Sequence, residues 1–379
     1  MPERTYLDWN ATTPLRPEAR AAMASAWDFS GNPSSVHAEG RQARHLIEEA
    51  RGVLAQGLGG LPRNVVFTSG GTEANALALS PGLRSGSGQP VERLLVSAIE
   101  HTSVLAGGRF APDRIKSVPV TPSGQVDLGG LGAMLASGPP ALVSLMAANN
   151  ETGVVQRVTD AAAAVHAAGG LLHVDAIQAF GKIPLNLSAL GADLVTLSAH
   201  KIGGPKGVGA VVMAEGVAGL DPLLRGGGQE RGRRAGTEDV AGIAGFGAAA
   251  AAALAAMAAD VPRIEGLRNR LEAGLREQPD VTIFSADTMR LPNTILFTAP
   301  GLKAETAVIS FDLEGVAVSS GSACSSGKVQ PSHVLLAMGV GPGEAQGAVR
   351  LSLGWSTSDR DVDRALEAWR KLRRHLLNR

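Results

Sequence analysis

His173-Val-Asp175-Ala-Ile-Gln178 and, one segment further on, Ser198-Ala-His200-Lys201 decide how this chain folds. Each closes a short apolar run, LLHVDA (171–176) and DLVTLSA (193–199), with polar or charged side chains. Runs of the same kind recur at VVFT (65–68), RLLVSA (93–98), ALVSLMA (141–147) and VGAVVM (208–213). Strands this apolar, divided by turn signals and helical stretches, are buried on both faces, which predicts an α/β fold with a mostly parallel sheet sandwiched by helices. Ligands of such sheets bind at the carboxyl ends of the strands. Residues 173–178 and 198–201 are therefore the first candidate site.

Outward from these strands, the spacing of Val36, Ala43, Leu46, Ile47, Ala50 and Leu54 predicts a helix from about Ser34 to Gly57. Asp239 to Ala259, continuing into Pro262–Gln278, reads as a long helix or a helix pair that carries the chain out of the large domain. Beyond Val281 come short strands, TILFTA (294–299) and VAVSS (316–320), and helices at 303–313 and 359–377. The expected organisation is a large domain over 15–258 and a smaller α+β domain from 1–14 and 259–379. With 379 residues, 44% of them hydrophobic, the chain can bury both cores. Lys plus Arg and Asp plus Glu balance at 35 each, so no net field draws nucleic acid or an anionic membrane, and a small-molecule substrate is expected. The start, MPERTYLDWN, has neither a basic nor an apolar leader segment, and the expected location is cytoplasmic. Cys324 is the single cysteine, which excludes an intrachain disulfide and any cysteine cluster for a metal.

A lysine at a strand end can form a Schiff base, and a carboxylate there can hold a protonated pyridine nitrogen. Pyridoxal 5'-phosphate (PLP) needs those two groups from a protein. Alone, Asp175 reads as a cap and Lys201 as a solvated lysine. Upstream, however, Thr68-Ser-Gly-Gly-Thr72-Glu-Ala-Asn ends a strand in glycines and opens a helix, a turn whose free N–H groups attract an anion. Ser198 and His200 flank the lysine and can donate to the same phosphate. Cys324 lies in Gly321-Ser-Ala-Cys-Ser-Ser-Gly327, a run of small residues that suits an exposed thiol better than a buried one.

The chain resembles the cysteine desulfurases of the NifS/IscS type, within the class V aminotransferases, nearly end to end. The resemblance runs through LDWNATTP (7–14), GNPSSVH (31–37), FTSGGTEANALAL (67–79), EHTSV (100–104), NNETGVVQ (149–156), HVDAIQAFGK (173–182), SAHKIGGPKGVGA (198–210), RGGGQERGRRAGTE (225–238), SSGSACSSG (319–327) and VRLSLG (349–354). It implies the fold type I of PLP-dependent transferases, with a seven-stranded sheet. Lys201 would be the Schiff-base lysine, Asp175 the pyridinium partner and Gln178 the donor to the ring hydroxyl. Gly71, Thr72, Ser198 and His200 would hold the phosphate, His101 would stack on the ring, and Asn150 would sit beside it. Thr237 would reach the cofactor phosphate of a neighbouring subunit, which implies a homodimer. Arg350 would pair with the α-carboxylate of L-cysteine, helped by Asn32.

On this resemblance Lys201 removes the α-proton, the Cys324 thiolate attacks the substrate sulfur, and the products are a Cys324 persulfide and L-alanine. His101 would handle protons at the sulfur-transfer step, and no metal is implied. A sulfur-acceptor protein would then take the persulfide for iron–sulfur clusters or thio-cofactors. Housekeeping IscS-type members carry a longer tail that helps dock the iron–sulfur scaffold, whereas this sequence stops at Arg379, so the resemblance does not single out a scaffold of that kind as the acceptor. The Ser-Gly-Ser-Ala-Cys form predicts a long, mobile cysteine loop. The alternatives are a selenocysteine lyase, a class V aminotransferase, which would need no thiol, and a PLP-binding scaffold without activity.

Overall fold

The computed structural model describes residues 4–85, 88–277, 280–321 and 330–377. Seven strands form the central sheet: β1 Val65–Thr68, β2 Arg93–Ser97, β3 Ile115–Val118, β4 Ala141–Met146, β5 Leu171–Asp175, β6 Leu194–Ser198 and β7 Gly209–Met213. They lie in the order β1-β7-β6-β5-β4-β2-β3. Strands β2 to β6 run parallel, and β7 is antiparallel to both of its neighbours. Each of the six apolar runs contains a strand, and every residue of those strands is buried. The seventh strand, β3, escapes a reading by apolarity because it is an edge strand whose Lys116 and Ser117 face solvent.

Successive side chains of a strand point to opposite faces. Phe67, Val143, Val174 and Val195 therefore enter one core with Ala19 of α1 (Pro17–Trp27) and Ile47 and Leu54 of α2 (Ala38–Gly57). Val66, Leu94, Leu142 and Val211 enter the other core with Ala74 and Leu77 of α3 (Gly71–Ala78). Helix α2 starts at Ala38, later than the spacing of apolar residues predicts, because Asn32 accepts the Ser34 N–H in a turn and His37 caps the helix through Gly40 N. Helix α4 is Leu128–Ala136 and α5 is Val158–Ala167.

Helix α6, Val240–Arg276, is one helix and not a pair. Ile243, Phe246, Ala250 and Ala253 pack in the sheet core, whereas Ile264, Leu267, Leu271 and Leu275 pack in a second cluster. Pro262, which has no N–H to donate, falls between the two sets. The helix is long and apolar enough to cross a membrane, yet half of its most apolar window is buried inside the protein, as service to two cores demands. The second cluster is built on a four-stranded sheet of β8 Thr282–Ile283, β9 Thr294–Thr298, β10 Ser319–Ser320 and β11 Val349–Ser352, ordered β8-β9-β11-β10. Helices α7 (Ala304–Leu313) and α8 (Asp359–Leu377) complete it, with Trp369 edge-on to Phe297 at 5.2 Å. Residues 5–8 join this cluster, since Thr5–Tyr6 pair with Val316–Ala317 and Asp8 bridges Ser352. Residues 13–16 then bond to His200 and Gly203 beside the large sheet.

One buried ion pair fixes the long loop before α6. Glu230 and Arg231 adopt left-handed backbone, φ 47° and 58°, which costs non-glycine residues about 1–3 kcal/mol each. The Glu230 carboxylate accepts Arg51 Nη1 at 2.7 Å, Arg51 Nη2 at 2.8 Å and Phe67 N at 3.0 Å, all buried. Removing one partner of such a pair strands the other charge, at a cost of about 3–5 kcal/mol. Glu230→Ala is therefore expected to lose that much stability in urea unfolding. Glu48→Ala, which removes only the half-exposed partner of Arg51 Nε, should cost less than about 1 kcal/mol.

Candidate active site

The register of the sheet sets Asp175 beside Thr196, so the ends of β5 and β6 lie side by side. Asp175 is buried, and each of its oxygens has a donor: Ile177 N at 3.0 Å and Asn75 Nδ2 at 2.9 Å. Burial raises its pKa above its usual value, against the pull of those donors and of His101 and Lys201. Asn75, fully buried on α3, is the hub of a wider network. Its amide also donates to Ser103 Oγ at 2.9 Å, and its oxygen accepts Thr196 Oγ1 at 2.6 Å. Thr196 meets His173 Nε2 at 3.1 Å, and Ser144 meets His173 Nδ1 at 2.8 Å. Burial lowers the His173 pKa to about 3, so this ring is neutral.

Lys201 ends the tight turn Ala199–Lys201 that follows β6. Its Nζ donates to the carbonyls of Asn10 at 2.6 Å and Ala11 at 2.8 Å. Burial, and then the Arg350 charge, lowers its pKa to about 8, while Asp8 and Asp175 oppose them. Gln178 donates from Nε2 to the same Asn10 carbonyl at 2.9 Å. His101 caps the short helix Thr102–Leu105, and its Nδ1 accepts Ser103 N at 3.2 Å and lies 2.8 Å from Ser103 Oγ. Because Nδ1 accepts the Ser103 N–H it carries no hydrogen, so Ser103 Oγ donates to it and the ring proton sits on Nε2. Desolvation by the cleft walls is the main cause that holds the His101 pKa below its usual value. The preceding Glu100 is buried and takes Met146 N at 2.7 Å, and burial, with the Asp175 charge, raises its pKa well above its usual value.

Across the turn from β1, Gly70, with φ 152°, opens α3 without any side-chain cap. The first N–H groups of α3 therefore face a cavity of about 400 Å³ lined by Gly71, Thr72, Ser198, His200 and Lys206. A Cβ on Gly71 would meet Ile177 Cδ1 at 2.5 Å and Ser198 Cβ at 3.3 Å, so a larger residue would need Ile177 to shift. Glu73 borders the cavity but is occupied by Ser69 N and Arg234. His200 is held neutral, its pKa lowered to about 4 by burial and by Lys201 and Lys206.

Arg350 projects from β11 and is buried. Asp8 takes its Nη2 at 2.8 Å, the Asn150 carbonyl takes Nη1 at 3.0 Å, and Nε is buried without a partner. The structure thus brings Asp175, Lys201, His101, Gln178, Asn150, Arg350 and the anion cavity around one cleft. Asn32 and Thr237 lie elsewhere: Pro33, Ser34 and Glu238 line a separate cavity of about 460 Å³ with Arg51 and Glu230. Cys324 lies outside the described residues, as does the loop around it. Reading by motif missed Asp8, Asn10, Asn75 and Glu100 as parts of the site, although each lies inside a quoted segment. Their signal was position in a motif, and their partners became visible only in three dimensions.

The class V aminotransferase family profile matches residues 5–365. The IscS-like cysteine desulfurase of Mycobacterium tuberculosis is 41% identical over 372 residues, covering 96% of this chain and 94% of that protein. A cysteine desulfurase of Gluconacetobacter diazotrophicus is 42% identical over 369 residues, covering 96% and 91%. Among solved structures, a NifS-like protein from Rickettsia africae superposes with a TM-score of 0.89 at 38% identity over 98% of this chain and 99% of that one. SspA, solved in complex with cysteine, superposes with a TM-score of 0.76 at 30% identity, covering 92% of this chain and 98% of that one. The cleft, the fold type I sheet and these relatives agree, and the chain belongs to the class V aminotransferases, within the cysteine desulfurases of the NifS/IscS type.

Proposed function

We propose that this cysteine desulfurase binds PLP at Asp175 and Lys201, moves the sulfur of L-cysteine onto Cys324 and releases L-alanine, passing the persulfide to an acceptor protein for iron–sulfur or other thio-cofactor synthesis. The observation that carries the reading is a buried carboxylate and a lysine of lowered pKa at adjacent strand ends, beside an uncapped helix N-terminus. The donor set fits the cofactor. Gly71 N–H, Thr72, Ser198 and His200 suit a phosphate, and no free carboxylate opposes it, since Glu73 is already paired. Asp175 would hold the pyridine nitrogen and Gln178 the ring hydroxyl. His101 would stack on the ring.

When bound, PLP supplies an electron sink that acidifies the substrate α-carbon and makes carbon–sulfur cleavage accessible. The protein supplies the rest. Arg350, held by Asp8 and the Asn150 carbonyl, would receive the substrate carboxylate with its remaining donors, with Asn150 orienting the substrate. Lys201, with a pKa near 8, has a usable fraction of neutral amine near neutral pH and would take the α-proton. The Cys324 thiolate would attack the substrate sulfur, forming a sulfur–sulfur bond while the carbon–sulfur bond breaks and its electron pair stays with carbon. His101 would move the accompanying proton.

The two ends of the Cys324 segment support this role. Gly321 N bonds Ala348 O at 2.8 Å beside Arg350, and Ser332 Oγ bonds Glu151 beside Asn150. Both ends therefore leave from the cleft wall. Thr237 would serve the cofactor phosphate of a second copy, making the enzyme a homodimer, and Asn32, whose neighbours Pro33 and Ser34 line the same cavity as Glu238, would assist the substrate.

Two measurements test the proposal. With PLP-loaded protein and L-cysteine, the wild type is expected to form alanine and to gain one sulfur atom on Cys324 by mass spectrometry, and Cys324→Ala to do neither; equal alanine from both would remove the thiol from the reaction. The neutral amine is the form that reacts with PLP, so the rate of PLP attachment should rise through about pH 8 and fall about tenfold for each unit below it. A midpoint near the ordinary 10.5 would contradict the lowered pKa.

A further inference from the structure

Lys182 is absorbed by none of these roles, although it follows Gln178 by four residues in the turn after β5. Its Nζ donates to Gln178 Oε1 at 2.9 Å, while Gln178 Nε2 donates to the Asn10 carbonyl at 2.9 Å. An ammonium can only donate and a carbonyl can only accept. A flipped Gln178 amide would set NH₂ against the ammonium and oxygen against the carbonyl, losing both bonds at once. The Asn10 carbonyl, which can only accept, favours the unflipped orientation at any pH, and Lys182 reinforces it as the ammonium, the form that dominates below about pH 7. Of the two hydrogens on Nε2, the Asn10 carbonyl takes one.

Lys182 is an unusual choice for a structural prop. It borders a small cavity with Lys201, Arg16 and Asp260, and among the described residues no carboxylate lies within ion-pairing distance of it. Burial lowers its pKa to about 7, with Lys201 and Arg350 adding to the effect. Burying a lysine beside two other basic groups is costly for stability whenever it is protonated. Its one hydrogen bond goes to Gln178.

We propose that Lys182 is a positioning residue that holds the Gln178 amide with its N–H₂ end toward the cofactor, so that Gln178 donates to the ring hydroxyl oxygen and cannot turn its own oxygen there. This rests on the reading of Asp175 and Lys201 as a PLP site. A donor at that oxygen drains charge from it and weakens its hold on the neighbouring proton. Loss of the fixed donor therefore raises the pH midpoint at which the absorbance of the bound cofactor changes.

The test is a pH titration of the visible absorbance of the holoenzyme, with folding checked by thermal unfolding. Lys182→Met is expected to shift the midpoint upward by about one pH unit, the worth of one hydrogen bond between the two protonation states. Lys182→Arg, still a donor, should titrate as the wild type does, and Lys182→Ala serves if Lys182→Met does not fold. In a Gln178→Ala background, adding Lys182→Met should shift nothing further. A normal wild-type titration with an unmoved Lys182→Met midpoint, or a further shift on top of Gln178→Ala, would overturn the role of Lys182 alone. A wild-type protein that takes up no PLP and shows no visible band, like Lys201→Ala, would overturn the cofactor site itself and this proposal with it.

Discussion

The backbone carbonyl of Asn10 is the point on which the site depends. Lys201 and Gln178 both donate to it from the large sheet, and the buried Gln178 amide needs an acceptor there. The same residue is pinned from the other side. Its N–H donates to Ser352 Oγ, its Nδ2 to Thr294 Oγ1 and Asn150 O, and its Oδ1 accepts Asn293 Nδ2. One residue thereby ties the ends of β5 and β6 to β9 and β11. Asp8, two residues earlier, holds Arg350 from that same strap. A low-dielectric cluster of polar groups tolerates little error, so a fully satisfied strap also fixes the distance between the lysine and the arginine.

Around this strap the electrostatics run in one direction. Burial lowers the pKa of Lys201, Lys182, His200 and His101, and raises that of Asp175, Glu100 and Glu151. Bases are pushed toward their free forms and acids toward their protonated forms, which is the condition for moving protons near neutral pH. Asp175 resists the trend through two hydrogen-bond donors and two neighbouring basic groups. The network through Asn75 carries that influence on to Ser103 and His101. The aspartate and the histidine are therefore set by one shared amide.

Much of the fold was legible because burial on both faces leaves a local mark. Six central strands, α2 and the helices at 304–313 and 359–377 follow from apolar runs and helical spacing. The edge strand β3 carried no such mark, since solvent on one side permits Lys116 and Ser117. Nor could spacing tell a helix pair from the single helix α6, because an alanine-rich stretch with an internal proline fits both.

Local sequence determined that Asp175, Lys201 and the Gly70–Gly71 turn stand at strand ends, because strand period, strand length and glycine backbone freedom act over a few residues. Only the tertiary structure decided which groups complete them. Asp8 and Arg350 are separated by 342 residues and Asn10 and Thr294 by 284, and no periodicity reports a hydrogen bond across such a distance. The partners of a buried polar group are set by which elements pack together, and that packing is a property of the whole chain.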